Sequence, residues 1–181
     1  MTIDDIMRPG TVIPVIVIDD VAKAVPLAER LVADGMVALE VTLRTPAALD
    51  AVRAMAEVPG ATVGAGTVLN ARQLDAALEA GANFIVSPGL TEPLVRAAQD
   101  RGAPILPGVA TAADIMRGLD LGLDRFKFFP AVASGGIPAL KALSAPFGAA
   151  RFCPTGGITA ATAADWLGLP SVVCVGGSWM V

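Results

Sequence analysis

Hydrophobic and polar positions follow two alternating patterns along the chain. Short runs rich in β-branched residues are followed by longer segments rich in Ala and Leu, which begin at Thr or Asn and end at Gly. This alternation predicts parallel strands connected by helices. The predicted strands span residues 11–18, 36–42, 61–67, 84–88, 104–108, 125–129, 151–155 and 171–176.

The segments between these strands carry residues that are typical of helix termini. Polar residues suited to an N-cap precede four of them: Thr45, Asn70, Thr91 and Thr111. Glycines suited to a left-handed C-cap follow helical segments: Gly35, Gly81, Gly102 and Gly122. Eight evenly spaced strands favour a closed (β/α)8 TIM barrel over an open doubly wound sheet. No linker or low-complexity segment divides the chain, so we predict a single barrel domain over residues 1–181.

The chain ends soon after the eighth predicted strand, at "GGSWMV". A complete barrel continues at this point into an eighth helix. We therefore expect a barrel that lacks its final helix. Such a barrel exposes apolar surface beside its first and last strands, and this surface favours either a partner or aggregation.

Composition and charge exclude several classes of protein. With 181 residues, of which 54% are hydrophobic, the chain has enough apolar material for one buried core. The longest apolar run, residues 12–18, is far shorter than a membrane span, and the acidic amino terminus does not fit a secretory signal. A net charge of -4 with scattered arginines does not favour nucleic-acid binding. We expect a cytoplasmic protein without a membrane or nucleic-acid partner.

The residue types that the chain lacks limit its chemistry. It contains no histidine and no tyrosine, so His-based triads, His-ligated metals and phenolic acids are excluded. Proton transfer must then use Asp, Glu, Lys, a thiol or water. Cys153 and Cys174 each lie in a short strand-like stretch, which favours reduced, buried thiols and leaves a disulfide between them open.

Strand periodicity places two ionisable residues inside the barrel. In "MVALEVTLRT", the apolar residues share the face toward the helices, and Glu40 lies on the opposite face. In "RFKFF", Phe126 and Phe128 likewise face outward and Lys127 faces the axis. The second and sixth strands lie opposite each other in an eight-stranded barrel. We therefore predict that the Glu40 carboxylate and the Lys127 amine meet near the axis.

The setting of Lys127 indicates covalent chemistry. Desolvation disfavours a charged ammonium, so a lysine among the phenylalanines of "FKFF" is expected to offer a free amine that forms a Schiff base. A buried ion pair that only fills the barrel is the alternative, but such a pair often adds no net stability. The other two lysines, Lys23 and Lys141, lie in predicted helices, where their ammonium groups stay in water.

Groups that bind anions are expected at the same end of the barrel. Arg44 follows the second strand on the face of Glu40 and presents a planar fork for a carboxylate, with a rim ion pair as the alternative. "CPTGG" and "VGGSWM" follow the seventh and eighth strands, where paired glycines bring backbone N–H groups close to a phosphate.

The glycines of "VGAGTVLN" need a different interpretation. The stretch lacks the third spaced glycine of a dinucleotide-binding motif, and no acidic ribose partner follows a second strand. Close packing around the backbone is therefore the better interpretation. Thr67, at the end of this strand, is a candidate donor to a substrate oxygen.

These stretches closely resemble the 2-keto-3-deoxy-6-phosphogluconate (KDPG) aldolases, a family of class I aldolases. The resemblance rests on "PVIVI", "ALEVTLRT", "VGAGTVLN", "SPGLTEP", "FKFFPA", "RFCPTGGI" and "GGSWMV", in the expected order from Pro14 to Val181. It implies a homotrimer that catalyses the aldolase step of the Entner–Doudoroff pathway. The implied substrate is a phosphorylated 2-oxo sugar acid, the implied products are pyruvate and glyceraldehyde 3-phosphate, and no metal or organic cofactor is required.

The resemblance implies a role for each of ten residues. Lys127 is the Schiff-base lysine, and Glu40 is the general acid/base. The residues implied to line the pyruvate pocket are Arg44, Thr67 and Pro88, with Phe129 beside the imine. The residues implied to bind the phosphate are Gly156, Gly157 and Ser178, while Thr155 contacts the sugar-acid hydroxyls.

Three other functions stay open. An aldolase for a related 2-oxo acid, such as the galactonate epimer or 4-hydroxy-2-oxoglutarate, would use the same lysine. A phosphosugar isomerase or epimerase on the same barrel would need no amine, and the aromatic setting of Lys127 argues against it. A barrel retained as a non-catalytic assembly scaffold is favoured only by the early end of the chain.

Overall fold

The computed structural model describes residues 1–8 and 11–181. In that part of the chain, eight strands alternate with helices. The strands are β1 (Val12–Ile16), β2 (Ala38–Thr42), β3 (Thr62–Gly66), β4 (Phe84–Ser87), β5 (Ile105–Val109), β6 (Arg125–Phe128), β7 (Arg151–Pro154) and β8 (Val175–Gly177). The helices are α1 (Ile3–Met7), α2 (Ala24–Ala33), α3 (Ala48–Ala56), α4 (Ala71–Glu79), α5 (Glu92–Asp100), α6 (Ala112–Asp120), α7 (Gly136–Ser144) and α8 (Ala163–Leu167), with a 3-10 turn (Val21–Lys23) before α2.

The strands form one parallel sheet in the order β7-β6-β5-β4-β3-β2-β1-β8. Two isolated bridges, Phe152 with Val172 and Thr155 with Gly176, connect the two ends of this order and complete the ring. The predicted (β/α)8 barrel is confirmed. Residues 178–181, which follow β8, form no helix, and the eight helices of the described chain include α1, which precedes β1.

Outward-facing strand residues form the core between the ring and the helices. Leu39 of β2 is fully buried in an apolar cluster that includes Met55 of α3. Phe126 and Phe128 of β6 are fully buried in a second cluster, where Phe128 packs against Trp166 with ring centroids 6.4 Å apart. The predicted outward faces of both strands are confirmed. The alternate residues of each strand are left to face the barrel axis.

The amino-terminal helix α1 closes the amino end of the barrel, and the sequence analysis did not predict it. Thr2 and Asp5 form a capping box, in which the Thr2 N–H donates to Asp5 Oδ2 at 2.7 Å and the Asp5 N–H donates to Thr2 Oγ1 at 3.3 Å. The helix buries Ile6 and Met7 in an apolar cluster with strand residues such as Ile13. This cluster forms the floor of the barrel interior.

An ion pair fixes α1 to β6, the strand that carries Lys127. Arg125 Nε donates to Asp4 Oδ1 at 2.6 Å, and Arg125 Nη2 donates to Asp4 Oδ2 at 3.1 Å. The hydrogen bonds to Asp4 raise the pKa of Arg125, and those from Arg125 lower the pKa of Asp4. The fork geometry holds the helix against the base of the strand.

The last strand differs from its prediction. β8 spans Val175–Gly177 rather than residues 171–176. The segment before it turns instead, with the Val172 N–H donating to the Leu169 carbonyl at 2.9 Å. Within this segment, Val172 alone bridges to β7. The β-branched residues of "SVVCV" favour a strand, so composition alone did not locate the boundary.

The predicted helix termini are mostly confirmed. Asn70 and Thr111 cap α4 and α6 with their side chains, whereas Thr91 precedes α5 without a side-chain cap bond. Thr45 does not cap a helix: its hydroxyl donates to the Ile18 carbonyl, and α3 begins only at Ala48. The four predicted C-terminal glycines all have positive φ: Gly35, Gly81, Gly102 and Gly122.

Candidate active site

The side chains of Lys127 and Glu40 meet inside the barrel. Lys127 Nζ lies 3.0 Å from Glu40 Oε1 and 3.3 Å from Glu40 Oε2. Lys127 is 5% exposed and Glu40 is 3% exposed, so both charges are held away from bulk water. Their strands, β6 and β2, lie four positions apart in the ring. The predicted meeting of the two side chains is confirmed.

Phe129 is the aromatic residue beside the amine, with Lys127 Nζ 5.3 Å from the centre of its ring. Phe126 and Phe128 point outward into the core beneath the helices. The expectation that the "FKFF" phenylalanines together surround the amine is therefore wrong for these two, because neighbouring residues of a strand face opposite sides. Glu40 is instead the direct polar partner of the amine.

A cleft of about 190 Å³ opens at the carboxyl ends of the strands. The predicted site residues that line it are Arg44, Phe129, Thr155, Gly156, Gly157 and Ser178. The lining residues that the sequence analysis did not assign are Val15, Val17 and Ile158, whereas Gly176 and Gly177 are the paired glycines of "VGGSWM" that it placed near a phosphate. Each of these residues lies in one of the stretches on which the family resemblance rests, and that resemblance was the signal that could have located it. Phe129 touches the cleft and lies beside Lys127, so the buried ion pair is next to the cleft.

Arg44 lies at the rim of the cleft, two residues beyond the end of β2. Its side chain is exposed, and it forms no ion pair with any residue that the structure describes. The alternative of a rim ion pair is therefore not observed. The guanidinium donors are available to a carboxylate that enters the cleft.

The loop after β7 forms another wall of the cleft. Gly156 and Gly157 have φ values of 105° and 79°, a left-handed conformation that favours glycine. A Cβ at Gly157 would lie 2.8 Å from Cβ of Val132, so the loop also has no room for a side chain there. Successive residues in such a turn can direct their N–H groups at an anion. Ser178 lines the same cleft from the end of β8.

Thr155 is a buried polar residue of the cleft, 5% exposed. Its backbone bridges to Gly176 of β8. A Cβ at Gly176 would collide with Thr155 Oγ1 and lie 2.9 Å from Thr155 Cγ2. The glycine therefore provides the space that the threonine side chain occupies.

Thr67 and Pro88 are not among the residues that line this cleft. Thr67 follows β3, and Pro88 follows β4, so both lie at the same end of the barrel as the cleft. Thr67 has a φ of 60°, which is an outlier for a β-branched residue. Backbone outliers of this kind concentrate at functional sites.

The two cysteines lie below the cleft, in the apolar cluster that includes Ile6 and Met7. Both are buried and free, so the predicted reduced thiols are confirmed. The hydrogen bond with Cys153, together with burial, raises the pKa of Cys174 well above its ordinary value. Thiols in this state are inert rather than nucleophilic.

Metal ligation finds no support in the part of the chain that the structure describes. Residues 1–8 and 11–181 contain no group of three or more Cys, Asp or Glu side chains placed to hold a metal ion. A helix long and apolar enough to cross a bilayer is also not found over these residues.

Comparison with known proteins identifies the family. The model of the family described as "KDPG and KHG aldolase" matches residues 3–181. The chain belongs to this family. Among family members, the 2-dehydro-3-deoxy-phosphogluconate aldolase of Zymomonas mobilis is 62% identical over 179 residues, which cover 99% of this chain and 86% of that protein.

Solved structures of KDPG aldolases share the fold closely. The Zymomonas mobilis KDPG aldolase with 3-phosphoglycerate superposes with a TM-score of 0.96 at 62% identity, covering 98% of this chain and 85% of that one. The Legionella pneumophila KDPG aldolase superposes with a TM-score of 0.94 at 48% identity, covering 97% and 86%. That structure holds pyruvate captured at low pH as a covalent carbinolamine intermediate.

Proposed function

We propose that this protein is a class I aldolase that cleaves 2-keto-3-deoxy-6-phosphogluconate to pyruvate and glyceraldehyde 3-phosphate. The observation that carries the proposal is the buried pair of Lys127 and Glu40, 3.0 Å apart beside a cleft lined by Arg44. A primary amine with a carboxylate in proton-transfer range is the equipment that Schiff-base formation needs. The covalent carbinolamine of the Legionella relative supports the same chemistry.

Glu40 prepares Lys127 for attack. A lysine ammonium must lose a proton before its nitrogen can attack a ketone, and the Glu40 carboxylate is the hydrogen-bonded acceptor for that proton. The free amine then adds to C2 of the substrate to form a carbinolamine. Glu40, directly or through water, returns the proton to the C2 hydroxyl, which leaves as water and gives the iminium.

The iminium then drives cleavage of the carbon chain. Glu40 accepts the proton of the C4 hydroxyl, the C3–C4 bond breaks, and its electron pair moves into the iminium to give an enamine. Glyceraldehyde 3-phosphate leaves as the aldehyde. Protonation of the enamine at C3 and hydrolysis of the imine release pyruvate and regenerate the Lys127 amine.

The cleft residues orient the two ends of the substrate. Arg44 binds the carboxylate next to the ketone, and its lack of a described ion-pair partner leaves both sides of its fork for this purpose. The residues proposed to bind the phosphate are Gly156, Gly157 and Ser178, with Thr155 at the sugar-acid hydroxyls. Thr67 and Pro88 complete the pyruvate pocket, with Phe129 against the imine.

A second candidate substrate is 4-hydroxy-2-oxoglutarate. The family description names KHG aldolase beside KDPG aldolase. No acidic residue of the described chain lines the cleft, so a second carboxylate meets no like charge there. The galactonate epimer differs from the first substrate only in stereochemistry, and the same lysine serves it. The ratio of kcat/KM values for the three substrates, measured on one preparation, ranks them.

We also propose that residues 1–181 form one barrel domain and that the protein works in the cytoplasm, as the sequence features predict. We further propose that three copies assemble, as the family resemblance implies. Native mass spectrometry tests the assembly. A mass of three 18.3 kDa chains supports it, and a monomer mass contradicts it.

Release of pyruvate, coupled to lactate dehydrogenase and followed by NADH absorbance, tests the catalytic proposal. We expect turnover of the phosphogluconate substrate by the native chain and none by Lys127→Ala. Lys141→Ala, at an exposed lysine of α7, is the matched control and keeps full activity. A folded native chain that releases pyruvate from none of the three substrates contradicts the aldolase and favours the scaffold alternative.

A further inference from the structure

Two glycines of β3, Gly64 and Gly66, face the interior of the barrel. Between them, Ala65 points outward into the apolar core that contains Val63. A Cβ at Gly64 would meet the ring of Phe84, at 2.5 Å from its Cδ2 and closer still to other ring atoms. Each glycine therefore leaves room for a particular side chain of a neighbouring strand.

At Gly66, the side chain that uses this room is Glu40. A Cβ at Gly66 would collide with Glu40 Oε1 and would lie 2.7 Å from Cγ and 2.9 Å from Cδ. In the ladder between β2 and β3, Glu40 is paired with Gly64, and Gly66 is paired with Thr42. The Glu40 side chain therefore leans along the barrel toward its carboxyl end, and it passes over Gly66 to reach Lys127.

The backbone at Gly66 does not itself require glycine. Positive φ values occur at nine glycines of the described chain, and Gly66 is not one of them. An alanine fits the strand conformation, and the nearest atoms that its methyl group would meet all belong to Glu40. β3 is held in the ring by ladders to β2 and β4, whereas a side-chain carboxylate can move, so Glu40 is the group that gives way.

We propose that Gly66 is a positioning residue for the reaction: the absence of a side chain at this position allows the Glu40 carboxylate to stay within hydrogen-bond distance of Lys127 Nζ. The inference rests on the proposed function, in which Glu40 moves the protons. A methyl group at residue 66 displaces the carboxylate while the barrel stays folded. Displacement by about 1 Å reduces the rate on the order of 10²-fold.

The test compares Gly66→Ala with Gly64→Ala, which adds the same methyl group on the same strand and face but against Phe84. We expect Gly66→Ala to lower kcat/KM on the order of 10²-fold and to change the pH profile of kcat, because a displaced carboxylate transfers protons less effectively. Gly64→Ala lowers the melting temperature but keeps the pH profile. Wild-type kcat/KM and pH profile in folded Gly66→Ala, or the same change of profile in both variants, overturns the proposal.

A double-variant cycle shows whether Gly66 acts through Glu40. In a Glu40→Gln background the carboxylate is already lost, so adding Gly66→Ala should reduce kcat/KM by less than about 3-fold. An equal loss in both backgrounds shows a generic structural effect and contradicts the proposal. If Gly66→Ala does not fold, Gly66→Ala/Glu40→Ala is compared with Glu40→Ala by circular dichroism. Recovery of the fold supports the contact with Glu40, and continued loss of the fold overturns it.

A crystal structure of Gly66→Ala separates this inference from the proposed function. Failure of the aldolase appears as a wild-type chain that releases no pyruvate. The inference is still testable in that case, because the distance from Lys127 Nζ to the Glu40 oxygens needs no activity. Loss of that hydrogen bond supports the role of Gly66, and an unchanged contact overturns it.

Discussion

β6 carries two basic residues, Arg125 and Lys127, that each pair with a carboxylate at opposite ends of the barrel. Arg125 at the amino end donates two hydrogen bonds to Asp4 of α1, and Lys127 toward the carboxyl end pairs with Glu40 of β2. The side chain of Arg125 is 15% exposed, and that of Lys127 is 6% exposed. The cations of these two ion pairs thus lie two residues apart along one strand.

The difference between the pairs lies in what the cation can do. A guanidinium is not deprotonated in proteins, so the pair of Arg125 and Asp4 can only hold α1 in place. A lysine can release its proton and become a nucleophile. The pair of Lys127 and Glu40 also lies next to the cleft. Residue type and access to a cleft, rather than burial of charge alone, distinguish a catalytic pair from a structural one.

The largest expected effect comes from replacing Lys127 with arginine, the residue type that forms the ion pair with Asp4. Lys127→Arg keeps the positive charge and a partner for Glu40 but removes the nucleophilic amine, so kcat/KM should fall on the order of 10⁴-fold or more. Pyruvate release measures the loss. Lys141→Arg is the control on an exposed helix and should leave kcat/KM unchanged. Activity retained in Lys127→Arg would contradict the assignment of the lysine.

Glu40→Gln removes the proton acceptor and keeps the shape of the side chain. General acid/base catalysis is worth on the order of 10² to 10⁴-fold, so we expect kcat to fall within that range. Borohydride reduction should still trap a pyruvate adduct on Lys127, although more slowly, because the amine itself remains. A kcat equal to that of the native chain would show that another group moves the protons.

Arg44→Ala should act on substrate binding. Hydrogen bonds to a charged group are worth about 1.5 to 3 kcal/mol, so KM should rise on the order of 10- to 100-fold with a smaller change in kcat. Steady-state kinetics separate the two constants. Arg53→Ala removes an exposed arginine of α3 that pairs with Asp50, and it should leave KM unchanged. An unchanged KM in Arg44→Ala would place the substrate carboxylate elsewhere.

The smallest effect is expected at the pair of Arg125 and Asp4. Arg125 lowers the pKa of Asp4 in the folded state, so the contribution of Asp4 to stability is present above its unfolded pKa and is lost as the pH falls through its folded pKa. Asp4→Asn should therefore reduce the free energy of unfolding by about 1 kcal/mol near neutral pH and by less in acid. Urea unfolding at several pH values measures this difference.

Asp4→Asn should also leave kcat/KM unchanged, in contrast to the variants of Lys127 and Glu40. A loss of activity on the scale of Glu40→Gln would mean that the two ends of β6 are not independent. A stability difference that grows as the pH falls would contradict the direction of the pKa shift.

Much of the site was predictable because strand alternation is a local property. The period of two placed Glu40 and Lys127 on the inner faces of their strands, and barrel geometry placed the strands across from each other. The same alternation sends Phe126 and Phe128 away from the amine, so the predicted aromatic surrounding conflicted with the rule that located the lysine. Phe129 alone of the three lies beside the amine.

The rest depends on contacts between residues that are distant in the sequence. The five-residue helix α1 is too short for a periodic pattern, and its capping box at Thr2 was its only local signal. Thr45 is an ordinary N-cap candidate, but its hydroxyl bonds to the Ile18 carbonyl instead. The sequence predicted close packing around "VGAGTVLN", but the partner of Gly66 emerges only when Glu40 is placed on the adjacent strand.

Borohydride trapping with pyruvate, followed by peptide mapping by mass spectrometry, tests the central claim most directly. The measurement asks whether an amine of this chain forms an imine with a 2-oxo acid and which lysine carries it. The account predicts one stable adduct, confined to Lys127 and absent from Lys127→Ala. A folded protein that forms no adduct, or an adduct on Lys23 or Lys141 instead, would contradict the assignment of the buried pair as the catalytic centre.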